Sequence, residues 1–145
     1  MIHGSCLCSQ VQFEASEVLG PFELCHCNRC RKVSGSAFVA YVYAKRDGFR
    51  FLKGKDLLKT FDLPIVEKPP AYRSCFCGIC GSLMPDPTGD SVLVEIPAGS
   101  LDADPGIKPD KHIYVEFKAP WFKIEDALPQ YDKPSLRKHR AARPL

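Results

Sequence analysis

Eight of the 145 residues are cysteine, and they stand in three groups: Cys6 and Cys8; Cys25, Cys27 and Cys30; Cys75, Cys77 and Cys80. Thiols at these spacings suit metal ligation. Residues two apart on a strand point the same way, and Cys-x-x-Cys lets a tight turn aim two sulfurs at one point. Clustered soft thiolates select zinc, or less often iron–sulfur. The start of the chain, Met1-Ile2-His3-Gly4, carries no apolar leader, so the expected compartment is the reducing cytoplasm, where a disulfide framework is disfavoured. Two segments repeat Cys-x-Cys-x-x-Cys, at Cys25–Cys30 and Cys75–Cys80, and Gly81 lets the second knuckle turn with positive φ. One closed site of four thiolates uses half of the cysteines, so two metal sites are the better reading. They are either two sites of four, or one of four and one of three with a spare cysteine. Spacing alone does not choose. Closed sites serve structure, whereas a three-thiolate site keeps a position open for a substrate thiol.

Short β elements must position these groups. Val11–Glu14 alternates, Phe38–Tyr43 is a β-branched and aromatic run, and Phe49–Leu52, Leu57–Phe61, Ala71–Phe76, Ser91–Ile96 and the alternating Ile113–Phe117 follow. Thirteen prolines and ten glycines punctuate them, and no long helical period occurs, so the expected class is all-β with antiparallel sheets. Asn28 is placed to cap one short helix over Arg29–Val33. Asp102–Lys111 reads as a loop. The organisation is one domain over residues 1–131 and a loose basic tail over 132–145. The net charge of +3 hides an asymmetry: Lys133, Arg137, Lys138, Arg140 and Arg143 all lie within residues 133–145, which hold no acid, leaving 15 basic and 17 acidic residues in the body before Lys133. That body has no basic face for nucleic acid, and no apolar run reaches the ~20 residues of a membrane span.

The motifs Gly4-Ser5-Cys6-Leu7-Cys8, Cys25-His26-Cys27-Asn28-Arg29-Cys30-Arg31-Lys32 and Phe76-Cys77-Gly78-Ile79-Cys80-Gly81-Ser82, in this order, resemble the glutathione-dependent formaldehyde-activating enzyme family, whose domain also occurs in centromere protein V. Weaker echoes are Gly99-Ser100-Leu101-Asp102, Pro109 with His112-Ile113, and Trp121 before Leu128-Pro129-Gln130-Tyr131, so the resemblance runs from residue 3 to about 131. It implies a β-tent of antiparallel sheets and a partition of ligands. Cys6, Cys8, Cys77 and Cys80 would close a structural zinc site, while Cys25, Cys27 and Cys30 would hold a second, catalytic zinc with an open position. Ser9 stands where the family often has glycine, read as a change of little consequence. Cys75 is an extra thiol beside the structural motif, read as buried and inert rather than as a competing ligand.

The chemistry that the resemblance implies is carbon–sulfur lyase chemistry on glutathione and formaldehyde, or on another small thiol and aldehyde. A zinc with three thiolates carries a formal charge of −1, which Arg29, Arg31 and Lys32 would offset while binding a substrate carboxylate. Coordination would deprotonate the substrate thiol, and its sulfur would add to the formaldehyde carbon to give S-hydroxymethylglutathione. The alternative is a zinc-stabilised thiol-binding or interaction module without catalysis. His26, between two ligands, is expected to point away from the metal. His112 reads as a structural hydrogen-bonder or a pocket residue, Ser34-Gly35-Ser36 as a pocket rim, and Trp121 as core.

Overall fold

The computed structural model describes residues 1–64, 72–86 and 88–142. The chain is mostly β. Strands β1 (Ile2–Ser5), β2 (Gln12–Ala15) and β5 (Phe49–Lys53) form a three-stranded antiparallel sheet in the order β1-β2-β5. β6 (Leu58–Asp62) and β7 (Arg73–Cys77) form an antiparallel pair. The largest sheet has five strands: β10 (Gln130–Tyr131), β9 (Lys111–Ile113), β3 (Leu19–Cys25), β4 (Val39–Lys45) and β8 (Leu93–Pro97), in that spatial order. The expected antiparallel β architecture holds with one qualification: β3–β9 and β9–β10 pair in parallel. No helix among the described residues is long and apolar enough to cross a membrane.

Alternation gives the five-stranded sheet two different faces. Phe22 and Leu24 of β3, Val42 and Ala44 of β4, and Val94 and Ile96 of β8 point to one side and are buried in the main core with Val11 and Phe13. The intervening residues point the other way: Glu23 and Cys25, Tyr41 and Tyr43, Glu95 and Pro97, and Lys111 and Ile113 of β9. The registers Glu23↔Tyr41, Tyr41↔Pro97, Tyr43↔Glu95 and Cys25↔Ile113 align them into one surface. The smaller sheet closes the core from the first side. There Gly4 is required, because a Cβ would lie 2.1 Å from the Phe13 ring and 2.6 Å from the Ser100 carbonyl oxygen.

Several expectations need correction. Ile113–Phe117 does not continue as a strand. Tyr114 takes φ 57°, which ends β9, and Val115–Phe117 is a 3-10 turn. The strand expected over Ala71–Phe76 is β7, and Ala71 itself lies outside the described residues. The expected core residue Trp121 is 72% exposed; its neighbour Phe122 turns inward instead. The tail is not loose through residue 142, because Lys133–Ala142 forms helix α2. Asp132 accepts a hydrogen bond from the Ser135 amide at 2.9 Å at its start, and Leu136 is buried against Cys25, Cys30, Val39 and Ile113. Leu136→Ala is therefore expected to lower stability by about 2–4 kcal/mol in urea unfolding, and an unchanged midpoint would mean that α2 is not seated.

Candidate metal centres and cavity

The cysteines gather into two clusters that could hold a metal ion. In each, the sulfur atoms lie within 4.8 Å of one another: Cys6, Cys8, Cys77 and Cys80 in the first, and Cys25, Cys27 and Cys30 in the second. In the first cluster two hairpin-like knuckles meet. The Ser9 amide donates to the Cys6 carbonyl at 2.8 Å, and the Gly81 amide donates to the Cys77 carbonyl at 2.9 Å. Ser82 joins the knuckles, accepting from the Leu7 amide at 3.0 Å with its hydroxyl 3.3 Å from Cys80 Sγ. Contacts from Ser82, first through its hydroxyl and then its backbone, draw the Cys80 thiol down to about 5. The sulfur separations are 3.5 Å for Cys6–Cys8 and 3.9 Å for Cys8–Cys77. Thiolates bonded tetrahedrally to one ion at about 2.3 Å lie about 3.8 Å apart, so this donor set fits a closed four-sulfur site.

Ser9 matters more than its sequence context suggests. Its φ of 56° lies in the left-handed region, as does the 77° of Gly81 in the other knuckle. A side chain there costs about 1–2 kcal/mol, and glycine avoids that cost.

The second cluster is built at the junction of β3 and helix α1 (Asn28–Ser34). Cys25 ends the strand, Cys30 lies in the first turn of the helix, and Cys27 rather than Asn28 is its cap, accepting from the Cys30 amide at 3.4 Å. Hydrogen bonding from Cys25, and then from Cys30, pulls the Cys27 thiol down to about 2; its contact with Cys27 pushes Cys25 strongly up. Three thiols so close favour one thiolate and resist a second unless a cation joins them. Cys75 is buried and outside both clusters, and desolvation pushes its thiol up to about 12. It is buried as expected, and it also lines the same cavity as the second cluster.

His26 points to the opposite face of β3 from Cys25, as expected. It is fully buried among Phe38, His112 and Phe122. The Asp126 carboxylate accepts a hydrogen bond from His112 Nε2–H at 3.0 Å; His112 Nδ1 is then the acceptor for His26 Nε2 at 2.7 Å. Burial, then the neighbouring His112, lowers His26 to about 4, so the ring is neutral at pH 7. His112 thus has the structural role, and no cavity includes it among its described lining residues.

The second cluster opens onto a sizeable space. A cavity of about 510 Å³ lies over the second face of the large sheet, with all three sulfur residues in its wall. Arg29 also lines it, its Cζ 5.0 Å from the centroid of the Tyr72 ring. Arg31 instead bonds to Asn28 Oδ1 at 2.7 Å, and Lys32 lines a neighbouring, more apolar groove with Val33 and Phe61. Ser34-Gly35-Ser36 lies outside both described linings. Sequence reasoning missed the residues of the cavity's far end, Glu23, Glu95 and Arg140. Glu23 is almost fully buried and accepts from Arg140 Nη2 at 2.8 Å, with Lys111 Nζ 3.9 Å from its other oxygen. Water reaches Glu95 within the cavity, yet protein surrounds its carboxyl on most sides. That burial, with Glu23 nearby, pushes it up to about 7 against the pull of Arg140.

This is a β protein with a cluster of four thiols and a cluster of three, the latter facing a partly open cavity of mixed polar and apolar lining. Its sequence matches the family model described as glutathione-dependent formaldehyde-activating enzyme over residues 1–117, and the chain belongs to that family. It is 28% identical over 129 residues to a protein of Halomonas elongata named "Putative glutathione-dependent formaldehyde-activating enzyme", covering 86% of this chain and 82% of that one. A crystal structure of a Rhodobacter sphaeroides protein aligns with a TM-score of 0.49 and 21% identity over 74% of this chain and 91% of that one. All three cysteine motifs fall inside the matched residues; α2 falls outside them. Ser9→Gly is expected to raise stability by about 1 kcal/mol in chemical denaturation, and a loss of stability would contradict the left-handed turn.

Proposed function

We propose that the chain is a cytoplasmic, zinc-dependent carbon–sulfur lyase of the glutathione-dependent formaldehyde-activating type, interconverting glutathione and formaldehyde with S-hydroxymethylglutathione. The observation that carries this reading is the three-thiol cluster in the wall of a cavity large enough for a tripeptide, one sulfur short of a closed set. Cys6, Cys8, Cys77 and Cys80 would hold a structural zinc, and Cys25, Cys27 and Cys30 the second. When bound there, zinc supplies the positive charge that keeps a neighbouring thiol deprotonated at neutral pH.

The chain's own residues do the rest. Arg29 faces the cavity with no carboxylate partner among the described residues and takes a substrate carboxylate. The sheet face and α2 wall the substrate in, which holds sulfur and aldehyde together and lowers the entropic cost of their meeting. The glutathione sulfur forms a bond to the formaldehyde carbon, the carbonyl π pair moves to oxygen, and that oxygen takes a proton. Tyr72 lines the cavity, and burial keeps its hydroxyl protonated by raising it to about 12, so it can donate a hydrogen bond to the developing oxyanion.

Two zinc ions per chain are expected by metal analysis of the purified protein; less than one, with disulfides among these cysteines, would overturn the reading. Hemithioacetal formation is expected to exceed the spontaneous rate with wild type and to fall to it with Cys27→Ala. If glutathione binds without any rate excess, the protein is a thiol-binding module instead. Cys6→Ala is expected to lower Tm by more than about 10 °C, since each kcal/mol is worth about 2–8 °C and a structural zinc contributes several.

A further inference from the structure

The far end of the cavity has a composition that the thiol chemistry does not require. Glu23 lies two residues before Cys25 on β3, about 7 Å along the same face. Its carboxylate is 4% exposed and held by Arg140 at 2.8 Å, while the Arg140 side chain is 47% exposed. One guanidinium nitrogen is therefore engaged, and the other donors of the fork remain available. Glu95, two strands away on the same face, has no hydrogen-bond or ion-pair partner among the described residues, although its carboxyl lines the cavity. It lies close enough to Cys30 to influence that thiol. One cavity therefore offers three thiols and, elsewhere in its wall, an unpartnered carboxylate near a part-free guanidinium. A ligand that satisfies both ends carries a thiol and, some 8–10 Å away, an ammonium and a carboxylate on one carbon.

The structure assigns Glu95 and Arg140 as the subsite for the α-amino acid head of the thiol substrate: Glu95 accepts from the ammonium group and Arg140 donates to the carboxylate. Glu23 is a positioning residue, orienting the Arg140 fork from below. This deepens the functional reading above and rests on it, since glutathione bears such a head on its γ-glutamyl residue. The subsite depends on α2, which lies outside the residues that match the family model. Leu136 beneath α2 seats the helix that delivers Arg140.

The test measures dissociation constants by calorimetry on the metal-loaded full chain. The ligands are glutathione, glutaryl-cysteinylglycine, which lacks only the ammonium, and 4-aminobutyryl-cysteinylglycine, which lacks only that carboxylate. Wild type is expected to bind each analogue about ten-fold more weakly than glutathione, the loss of one charge-assisted contact. Glu95→Gln should bind glutathione and the ammonium-free analogue alike while still discriminating against the carboxylate-free one. Arg140→Met should show the converse, with Arg140→Lys recovering part of the carboxylate preference. If both variants bind glutathione as wild type does, or if each loses all three ligands equally, the subsite is wrong although the functional reading stands. If wild type binds no glutathione at all, the functional reading falls and the subsite with it.

Discussion

Alternation along one strand organises this molecule. On β3, Leu24 enters the apolar core and Cys25 faces the cavity, and just past the strand end His26 turns back into the protein against Phe38 and Phe122. Because β-strand side chains change sides at every residue, a one-residue slip would put the thiol in the core and Leu24 in the cavity. Both neighbours fix the register, β4 on one side and β9 on the other. The relay from half-exposed Asp126 through buried His112 to buried His26 adds a polar pin on the opposite face. The open thiol cluster is thus held by the two strands that flank Cys25 and, from the opposite face, by a polar relay.

The two clusters use the same ligand chemistry and differ in what surrounds them. Cys6, Cys8, Cys77 and Cys80 come from two knuckles that face each other, so each supplies half of a tetrahedron and the set closes on itself. Cys25, Cys27 and Cys30 come from one stretch of six residues. A single turn can aim three sulfurs at a point but leaves the side away from the backbone open. Here that side faces the sheet surface carrying Tyr41 and Glu23.

What was legible in the sequence follows from sequence distance. The cysteine groups could be read because their geometry is local, and most strands because their β-branched and aromatic runs are continuous. The pairing of Cys6 with Cys77 came through family resemblance, not spacing. β3 escaped because Gly20-Pro21 interrupts its apolar alternation. Helix α2 escaped because it is polar apart from Pro134, Leu136, Ala141 and Ala142, so its docking comes from one buried side chain and the Arg140–Glu23 ion pair rather than an amphipathic stripe. Trp121, expected in the core, is exposed and Phe122 turns inward instead, because a single step along an irregular segment decides which ring enters, and no periodicity reports it. The strand expected through Phe117 stops because Tyr114 adopts a left-handed φ that its residue type does not announce.

Glu23 was the least legible residue of the site and the one whose environment is most constrained. A carboxylate at 4% exposure is tolerable only where its charge is met. The partner that meets it lies 117 residues away, on a helix that local pattern reads as a solvated tail. The constraint acts in both directions. The carboxylate needs the guanidinium to remain charged within the protein, and the guanidinium, once drawn to Glu23, brings α2 across the cavity mouth. A basic C-terminal segment that seems from composition to be solubilising surface thereby becomes one wall of the space in which a charged thiol would be held.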